Sequence, residues 1–182
     1  MPNFSGDVES SVLNFSYLIQ DLHYFPFRPA DRIVCSWTAM EHVGKENGCL
    51  VVLAGSHANK EGLRQHEYPE WEGGVNKMYH GVRDCDDAGR RTHLVMEKGD
   101  TVFFHPLLIH GSGMNKTKNF RKAISGHYAD SNCYYIDVRG TTQESIAKEV
   151  EEVAKRKMNV TVPYEEIWHV KSRVVRGLEG KL

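Results

Sequence analysis

The segment Met96-Glu-Lys-Gly-Asp-Thr-Val-Phe-Phe-His-Pro-Leu-Leu-Ile-His-Gly-Ser-Gly113 decides the fold class of this chain. The turn Glu97–Asp100 precedes the apolar, aromatic and β-branched run Thr101–His105, which is typical of a strand. A second apolar run ends at His110, just before a glycine-rich turn. The segment therefore predicts short strands separated by tight turns.

Similar short segments lie on both sides of it. The aromatic-rich stretch Asp21–Phe27 ends at the Arg28-Pro29 break, and we expect a strand that leads into a turn there. The other predicted strands lie at 32–40, 49–53 and within 121–138, and the polar residues 58–92 are expected to form a long surface loop. Many short strands with Gly, Pro and Asn turns favour a β-sandwich or a jelly roll.

Two helices are predicted at the C-terminal end. Thr141 and Glu144 have the spacing of a capping box, with Thr141 as the N-cap. Pro163 is expected in the first turn of the second helix, and Gly177 is expected to stop it. The apolar stripes that these helices would bury are Ile146, Val150, Val153 and Ala154 in the first, and Ile167, Val170 and Val174 in the second.

Composition excludes several classes of protein. The formal net charge of −1 gives no field that favours nucleic acid or an anionic membrane. No run approaches the roughly 18 apolar residues of a membrane span, and we expect no membrane span. The four scattered cysteines argue against a zinc knuckle or a dense disulfide framework, so we expect an intracellular, reducing compartment.

Three residues carry the candidate chemistry: Asp21, His110 and Arg121. An imidazole among apolar side chains costs desolvation unless it is hydrogen-bonded or bound to a metal. A hairpin of ten residues could return Arg121 beside His110, where a planar guanidinium can hold a ligand carboxylate bidentately. The alternatives are a satisfied core histidine at His110 and a simple turn residue at Asp21.

Four segments carry a resemblance to a known family. They are Gln20–Pro29, Asn47–His57, Trp71–Met78 and Met96–Gly113. Their order and spacing resemble those of phytanoyl-CoA dioxygenase, near-continuously from Gln20 to about Gly140.

The resemblance implies a partial double-stranded β-helix (jelly roll, cupin-like), mainly β, with two C-terminal helices. It implies a divergent segment over 1–18, an incomplete jelly-roll core over 19–140 and a helical extension over 141–182. In this family a His-x-Asp pair and a distant histidine form the two-His-one-carboxylate site for Fe(II). Asp21 and His110 match the carboxylate and the distant histidine. The residues that match contacts to the co-substrate 2-oxoglutarate are Gln20, Trp37, Ser112 and Arg121.

The implied reaction is hydroxylation at C2 of a branched fatty acyl-CoA, phytanoyl-CoA, in fatty acid α-oxidation. It is coupled to oxidative decarboxylation of 2-oxoglutarate, with ascorbate as the reductant. The family implies residence in the peroxisome. The C-terminal Gly180-Lys181-Leu182 only partly matches the Ser-Lys-Leu address, and a cytoplasmic protein is the alternative.

One position departs from the family pattern. The residue two before Asp21 should be the first histidine ligand, and here it is Ile19, which has no lone pair to offer iron. If residues 19–23 form a strand, His23 faces the same way as Asp21 and is the candidate substitute ligand.

The resemblance also implies that the upstream half of the family's chain is absent, so that strand edges are left unpaired. Such edges favour a protein partner or self-association. The second hypothesis for function is therefore a catalytically impaired truncated isoform, or a non-catalytic relative, that acts through partner or ligand binding.

Overall fold

The computed structural model describes residues 18–67, 79–85 and 90–177. Most of its elements are short strands, because β-branched and aromatic runs alternate with glycine turns throughout this part of the chain. The strands are β1 (Phe27–Arg28), β2 (Ile33–Ala39), β3 (Leu50–Leu53), β4 (His66–Glu67), β5 (Gly81–Val82), β6 (Arg91–Leu94), β7 (Thr101–Phe104), β8 (His110–Ser112), β9 (Ala123–Ala129) and β10 (Tyr134–Tyr135). The helices are α1 (Glu144–Met158) and α2 (Tyr164–Lys171), with 3-10 turns at Asp21–Tyr24, Ala30–Arg32 and Ser56–Ala58.

Two three-stranded antiparallel sheets form the body of the fold. One has the strand order β7-β2-β9 and the other β6-β3-β8, while β1-β10 and β4-β5 form separate pairs. Strands far apart in sequence are therefore neighbours in space, as in a jelly roll. The predicted mainly β, partial jelly-roll (cupin-like) fold with two C-terminal helices is confirmed.

The hydrophobic core joins the two sheets. Trp37 and Ala39 of β2 pack in one cluster with Leu50 of β3, and Val43, Cys49 and Met96 complete it. A second cluster, which includes Leu22, Phe25 and Cys35, lies beside it under β2. Burial of one large apolar side chain contributes about 1.5–3 kcal/mol, so these clusters hold the inner faces of the strands in place.

The two helices are fastened to the segment that carries Asp21. The side-chain nitrogen of Gln143, at the N-cap of α1, lies 2.8–3.2 Å from the carbonyl oxygens of Leu22, His23 and Phe25. The buried hydroxyl of Tyr164, in α2, donates to the carbonyl of Tyr24. The helical extension therefore stabilises the turn at Asp21–Tyr24.

Several expectations about local structure are wrong. Residues 21–27 are not one strand, because hydrogen bonds from His23 N to Gln20 O and from Phe25 N to Leu22 O close a 3-10 turn. Parts of the expected surface loop 58–92 are buried, including His66 and His80. The segments Trp71–Met78 and 1–17, and residues 178–182, lie outside the described residues.

The helix ends also differ from the prediction. α1 begins at Glu144 rather than after Thr141, because the Thr141 hydroxyl donates to the Val138 carbonyl and accepts from Gln143 N. α2 ends at Lys171, well before Gly177. Val170 and Val174 are exposed, so the second apolar stripe is buried only in its first part. Among the described residues, no helix is long and apolar enough to cross a membrane.

Candidate metal centre

The backbone around Asp21 is held from several sides. Ile19 and His110 exchange two backbone hydrogen bonds of 2.7 and 3.0 Å. The side-chain nitrogen of Gln20 donates to the carbonyls of Gly62 and Leu107, and its oxygen accepts from Arg64 N. The buried Gln20 side chain therefore uses its amide to hold the backbone of two other segments, and its contact with the co-substrate stays a prediction.

The Asp21 carboxylate lies between two imidazoles. Its Oδ1 is 3.5 Å from Nε2 of His110, and its Oδ2 is 3.1 Å from Nε2 of His127. The Asp21 and His110 side chains are 12% and 8% exposed, whereas that of His127 is 33% exposed. Two residues that lie far apart in the sequence, Asp21 and His110, thus meet at one point, as the sequence analysis required.

The environment keeps Asp21 ionised. Burial would raise the pKa of its carboxyl group, but the hydrogen bond from His127 and the electrostatic attraction of His110 and His127 lower that pKa below its ordinary value. Burial raises the pKa of the neighbouring Cys35 thiol, and the Asp21 charge raises it further. Cys35 is therefore a neutral thiol beside a carboxylate.

His127 was missed by the sequence analysis. It lies on β9 directly opposite Cys35 on β2, and directly opposite residues of an antiparallel pair project from the same face of the sheet. Arg121 lies just before β9 and His127 lies within it, so their spacing has meaning only once the register of β9 against β2 is known.

Arg121 and Trp37 lie together. The guanidinium carbon of Arg121 is 5.5 Å from the centroid of the Trp37 ring, within the range of a cation–π contact. The expected hairpin is wrong, because β8 pairs with β3 in one sheet whereas β9 pairs with β2 in the other. The chain crosses between sheets after β8, and this crossing brings Arg121 to the Trp37 ring. Ser112 lies on β8, opposite Leu50.

His23 does not face Asp21. Its Nε2 lies 3.2 Å from Nδ1 of His80, and its ring stacks on that of His66 at 4.2 Å between centroids. The imidazole is fully buried in this histidine cluster (His23, His66 and His80). The expectation that His23 faces the same way as Asp21 is wrong, because Asp21–Tyr24 is a 3-10 turn and not a strand.

Ile19 stands at the position where a ligand is missing. Because Ile19 and His110 form a doubly hydrogen-bonded antiparallel pair, their side chains project from the same face of the ladder. The side chain of residue 19 is therefore on the face from which His110 reaches Asp21. A hydrocarbon there has no lone pair to offer a cation, and the predicted metal-binding groups remain Asp21 and His110.

Several known proteins are similar in sequence to this chain. Residues 16–123 match the family Phytanoyl-CoA dioxygenase (PhyH). The chain is 62% identical to the peroxisomal phytanoyl-CoA dioxygenase of Bos taurus, over 88% of this chain and 47% of the relative. It is 56% identical to a probable phytanoyl-CoA dioxygenase of Caenorhabditis elegans, over 90% of this chain and 54% of the relative. The chain thus spans about half the length of the curated relatives it matches.

Solved structures share the fold. The non-heme monooxygenase ThoJ superposes with a TM-score of 0.54 at 19% identity, over 87% of this chain and 64% of that chain. The α-ketoglutarate-dependent epimerase SnoN superposes with a TM-score of 0.51 at 24% identity, over 72% of this chain and 46% of that chain. These likenesses support the cupin-like architecture, and the family follows from the sequence matches. The chain belongs to the phytanoyl-CoA dioxygenase family.

Proposed function

We propose that this chain carries the metal-binding and co-substrate-binding part of an Fe(II)- and 2-oxoglutarate-dependent dioxygenase. The proposed substrate is phytanoyl-CoA, hydroxylated at C2 as a step of fatty acid α-oxidation. The observation that carries the proposal is the 3.5 Å approach of the Asp21 carboxylate to the His110 imidazole between the two sheets. Family membership supports the proposed reaction.

The residues at the site fit a divalent cation. An ionised carboxylate and an imidazole are the donors that Fe(II) takes in oxygenases, and those of Asp21 and His110 are almost completely buried. When bound, the metal would supply the oxygen chemistry. The Phe104 ring, 4.8 Å from that of His110, would help to exclude water.

Arg121 would bind the far carboxylate of 2-oxoglutarate. A guanidinium matches a carboxylate with two parallel hydrogen bonds, and the contact with the Trp37 ring helps to position this one. Ser112, two residues after His110 on β8, is the proposed wall of the same pocket. Ascorbate is the proposed reductant.

The proposed domain organisation is a divergent segment over 1–18, a jelly-roll core over 19–140 and a helical extension over 141–182. The bovine relative is named peroxisomal, and we propose the same compartment for this protein. We also propose that exposed strand edges receive a partner chain. Among the described strands, β7 and β9 lie at the two edges of the first sheet, and edge strands are where another chain can add.

Ile19 favours a second candidate function. With a hydrocarbon beside His110, the site offers iron one ligand fewer than the family pattern, and each lost ligand removes affinity and geometry. The alternative is a catalytically impaired relative that keeps carboxylate or partner binding without turnover.

Coupled turnover separates the two functions. The purified chain, with Fe(II), 2-oxoglutarate, ascorbate and phytanoyl-CoA, is assayed for succinate and for 2-hydroxyphytanoyl-CoA by mass spectrometry. The first function predicts both products in equal amounts, and neither with Asp21→Asn. Binding of 2-oxoglutarate without either product would support the impaired relative.

A further inference from the structure

A second group of metal-binding side chains surrounds one oxygen of the Asp21 carboxylate. One donor atom from each of Asp21, Cys35 and His127 lies within 4.8 Å of the other two. Nε2 of His127 is 3.1 Å from Oδ2 of Asp21, whereas His110 approaches Oδ1. His110 is outside this group of three, so the group differs from the pair that the sequence predicts.

Three separate elements bring these donors together. Cys35 on β2 and His127 on β9 stand directly opposite each other, so their side chains project from the same face of the sheet. Pairing of β9 with β2 along seven residues fixes this register. Asp21 comes from the 3-10 turn, and the Cys35 thiol is hydrogen-bonded to its carboxylate. A nitrogen, a sulfur and an oxygen donor are thus held at one place by the fold itself.

The separations suit a tetrahedral cation. Zinc binds sulfur at about 2.3 Å and nitrogen or oxygen at about 2.0–2.2 Å, so neighbouring ligand atoms lie about 3.3–3.6 Å apart. The 3.1 Å between His127 and Asp21 is already close to that range. Since the Cys35 sulfur lies within 4.8 Å of both partners, a shift of about 1.2 Å or less closes the site.

The donor set favours zinc over iron. A thiolate is a soft ligand that selects zinc, whereas Fe(II) oxygenases use imidazole and carboxylate groups. Zinc would displace the thiol proton of Cys35 to solvent, because the thiolate is the ligand. One thiolate, one carboxylate and one neutral imidazole then balance the two charges of the cation. The complex therefore has no net charge, which favours its burial.

We propose that Asp21, Cys35 and His127 form a zinc site with one position open to solvent. The Cys35 side chain is completely buried and that of Asp21 is 12% exposed, whereas that of His127 is 33% exposed. The cation therefore enters beside His127, where a water completes its four ligands. The site requires neither His110 nor a histidine at position 19, and it goes beyond the proposed oxygenase function.

A hydrogen-bonded cluster without affinity for metal would also hold these side chains together, so the test must detect a metal–sulfur bond. The full chain, reduced and free of metal, is titrated with Zn(II) against a chromophoric chelator. X-ray absorption of the Zn(II) complex then counts its sulfur neighbours in the wild type, without any substitution. Co(II) is the second probe, because its thiolate complexes absorb in the near ultraviolet.

Four variants assign the ligands. Cys35→Ser and His127→Gln each remove one proposed donor. Cys133→Ser, at another completely buried cysteine, is the matched control. His110→Gln separates this site from the pair predicted from the sequence. Thermal melting shows whether each variant is folded, and the sulfur count in the wild type decides the matter if Cys35→Ser is not.

We expect one Zn(II) per wild-type chain, with one sulfur neighbour at about 2.3 Å. Cys35→Ser and His127→Gln should each raise the Zn(II) dissociation constant by more than about 100-fold, since even the loss of a group that only orients a ligand costs roughly 10–100-fold. The Co(II)–thiolate absorption should be lost in Cys35→Ser and kept in Cys133→Ser. His110→Gln should bind Zn(II) as the wild type does.

Four results would overturn the inference. They are a folded wild type that does not bind Zn(II), bound zinc without a sulfur neighbour, equal Zn(II) affinity in the wild type and Cys35→Ser, and loss of Zn(II) binding in a folded His110→Gln. Mn(II) titration of the wild type and His110→Gln decides the proposed function separately. Zinc with a sulfur neighbour, in a chain that does not bind Mn(II), would remove the proposed function and keep this inference.

Discussion

The buried histidine cluster should make the protein unstable to mild acid. Burial, with the nearby His66 and His80 acting in the same direction, lowers the pKa of His23 to about 2. Burial also lowers the pKa of His66 to about 4, against the opposing effect of the Arg64 carbonyl. Both imidazoles are thus neutral in the folded protein at pH 5, and both gain a proton when the chain unfolds.

The sign and size of the effect follow from these values. Between pH 6.5 and the folded-state pKa, the unfolded chain binds more protons than the folded chain. The free energy of unfolding therefore has its highest value above pH 6.5 and falls as the pH drops below 6.5. At pH 5 each group lies about 1.5 pH units below the unfolded pKa, which corresponds to about 2 kcal/mol. His23 and His66 together should cost about 4 kcal/mol, a large share of the roughly 5–15 kcal/mol stability of a domain.

Urea unfolding at pH 7.5 and pH 5.0 measures the loss directly. His66→Gln removes one of the two groups and should reduce the loss between the two pH values by about half, to roughly 2 kcal/mol. His42→Gln, at an exposed histidine bonded to Glu97, should leave it unchanged. Equal losses in the wild type and in His66→Gln would refute the reasoning.

Two further predictions concern a glycine and the guanidinium. Gly48→Ala should lower the free energy of unfolding by about 3 kcal/mol in urea, because Gly48 has a φ of +88° and an added Cβ would lie 2.6 Å from a backbone carbonyl oxygen. Gly99 has a φ of +96° but open space around it, so Gly99→Ala should lower the free energy of unfolding by only about 1–2 kcal/mol. Equal losses in the two variants would show that the contact at Gly48 adds nothing to the backbone strain. Arg121→Lys should raise the dissociation constant of 2-oxoglutarate for the Mn(II)-loaded protein about tenfold, since an ammonium is a point charge without the bidentate fork. The Mn(II) affinity of Arg121→Lys without 2-oxoglutarate should not change. Unaltered 2-oxoglutarate binding in this variant would show that Arg121 does not contact the co-substrate.

Apolar strands were predictable from the sequence, and the segments around Asp21 were not. β2, β3 and β7 lie where β-branched and aromatic runs are bounded by turns, because such runs fit a buried sheet in almost any context. The aromatic run after Asp21 has the same composition but forms a 3-10 turn. There the contacts from Gln143 and Tyr164, distant in the chain, override the local preference.

The site residues also divide into those that the sequence predicts and those that it does not. Asp21 and His110 were identified from their residue types and from the family pattern, and the structure brings them together. His127 and the burial of His23 depend on strand register and on a turn, and a shift of one residue would reverse which face each side chain occupies. No pattern in one sequence fixes that register, so the second imidazole beside Asp21, that of His127, became visible only in three dimensions.

The most direct test of the proposed metal site at Asp21 and His110 is calorimetric titration of Mn(II) into the wild-type chain and into Asp21→Asn. The Asn side chain keeps the shape of Asp but has no charge, so the imidazoles of His110 and His127 would remain in place. We expect one cation per wild-type chain and no measurable binding to Asp21→Asn. Equal affinity in the two proteins would show that Asp21 and His110 do not hold a metal between them.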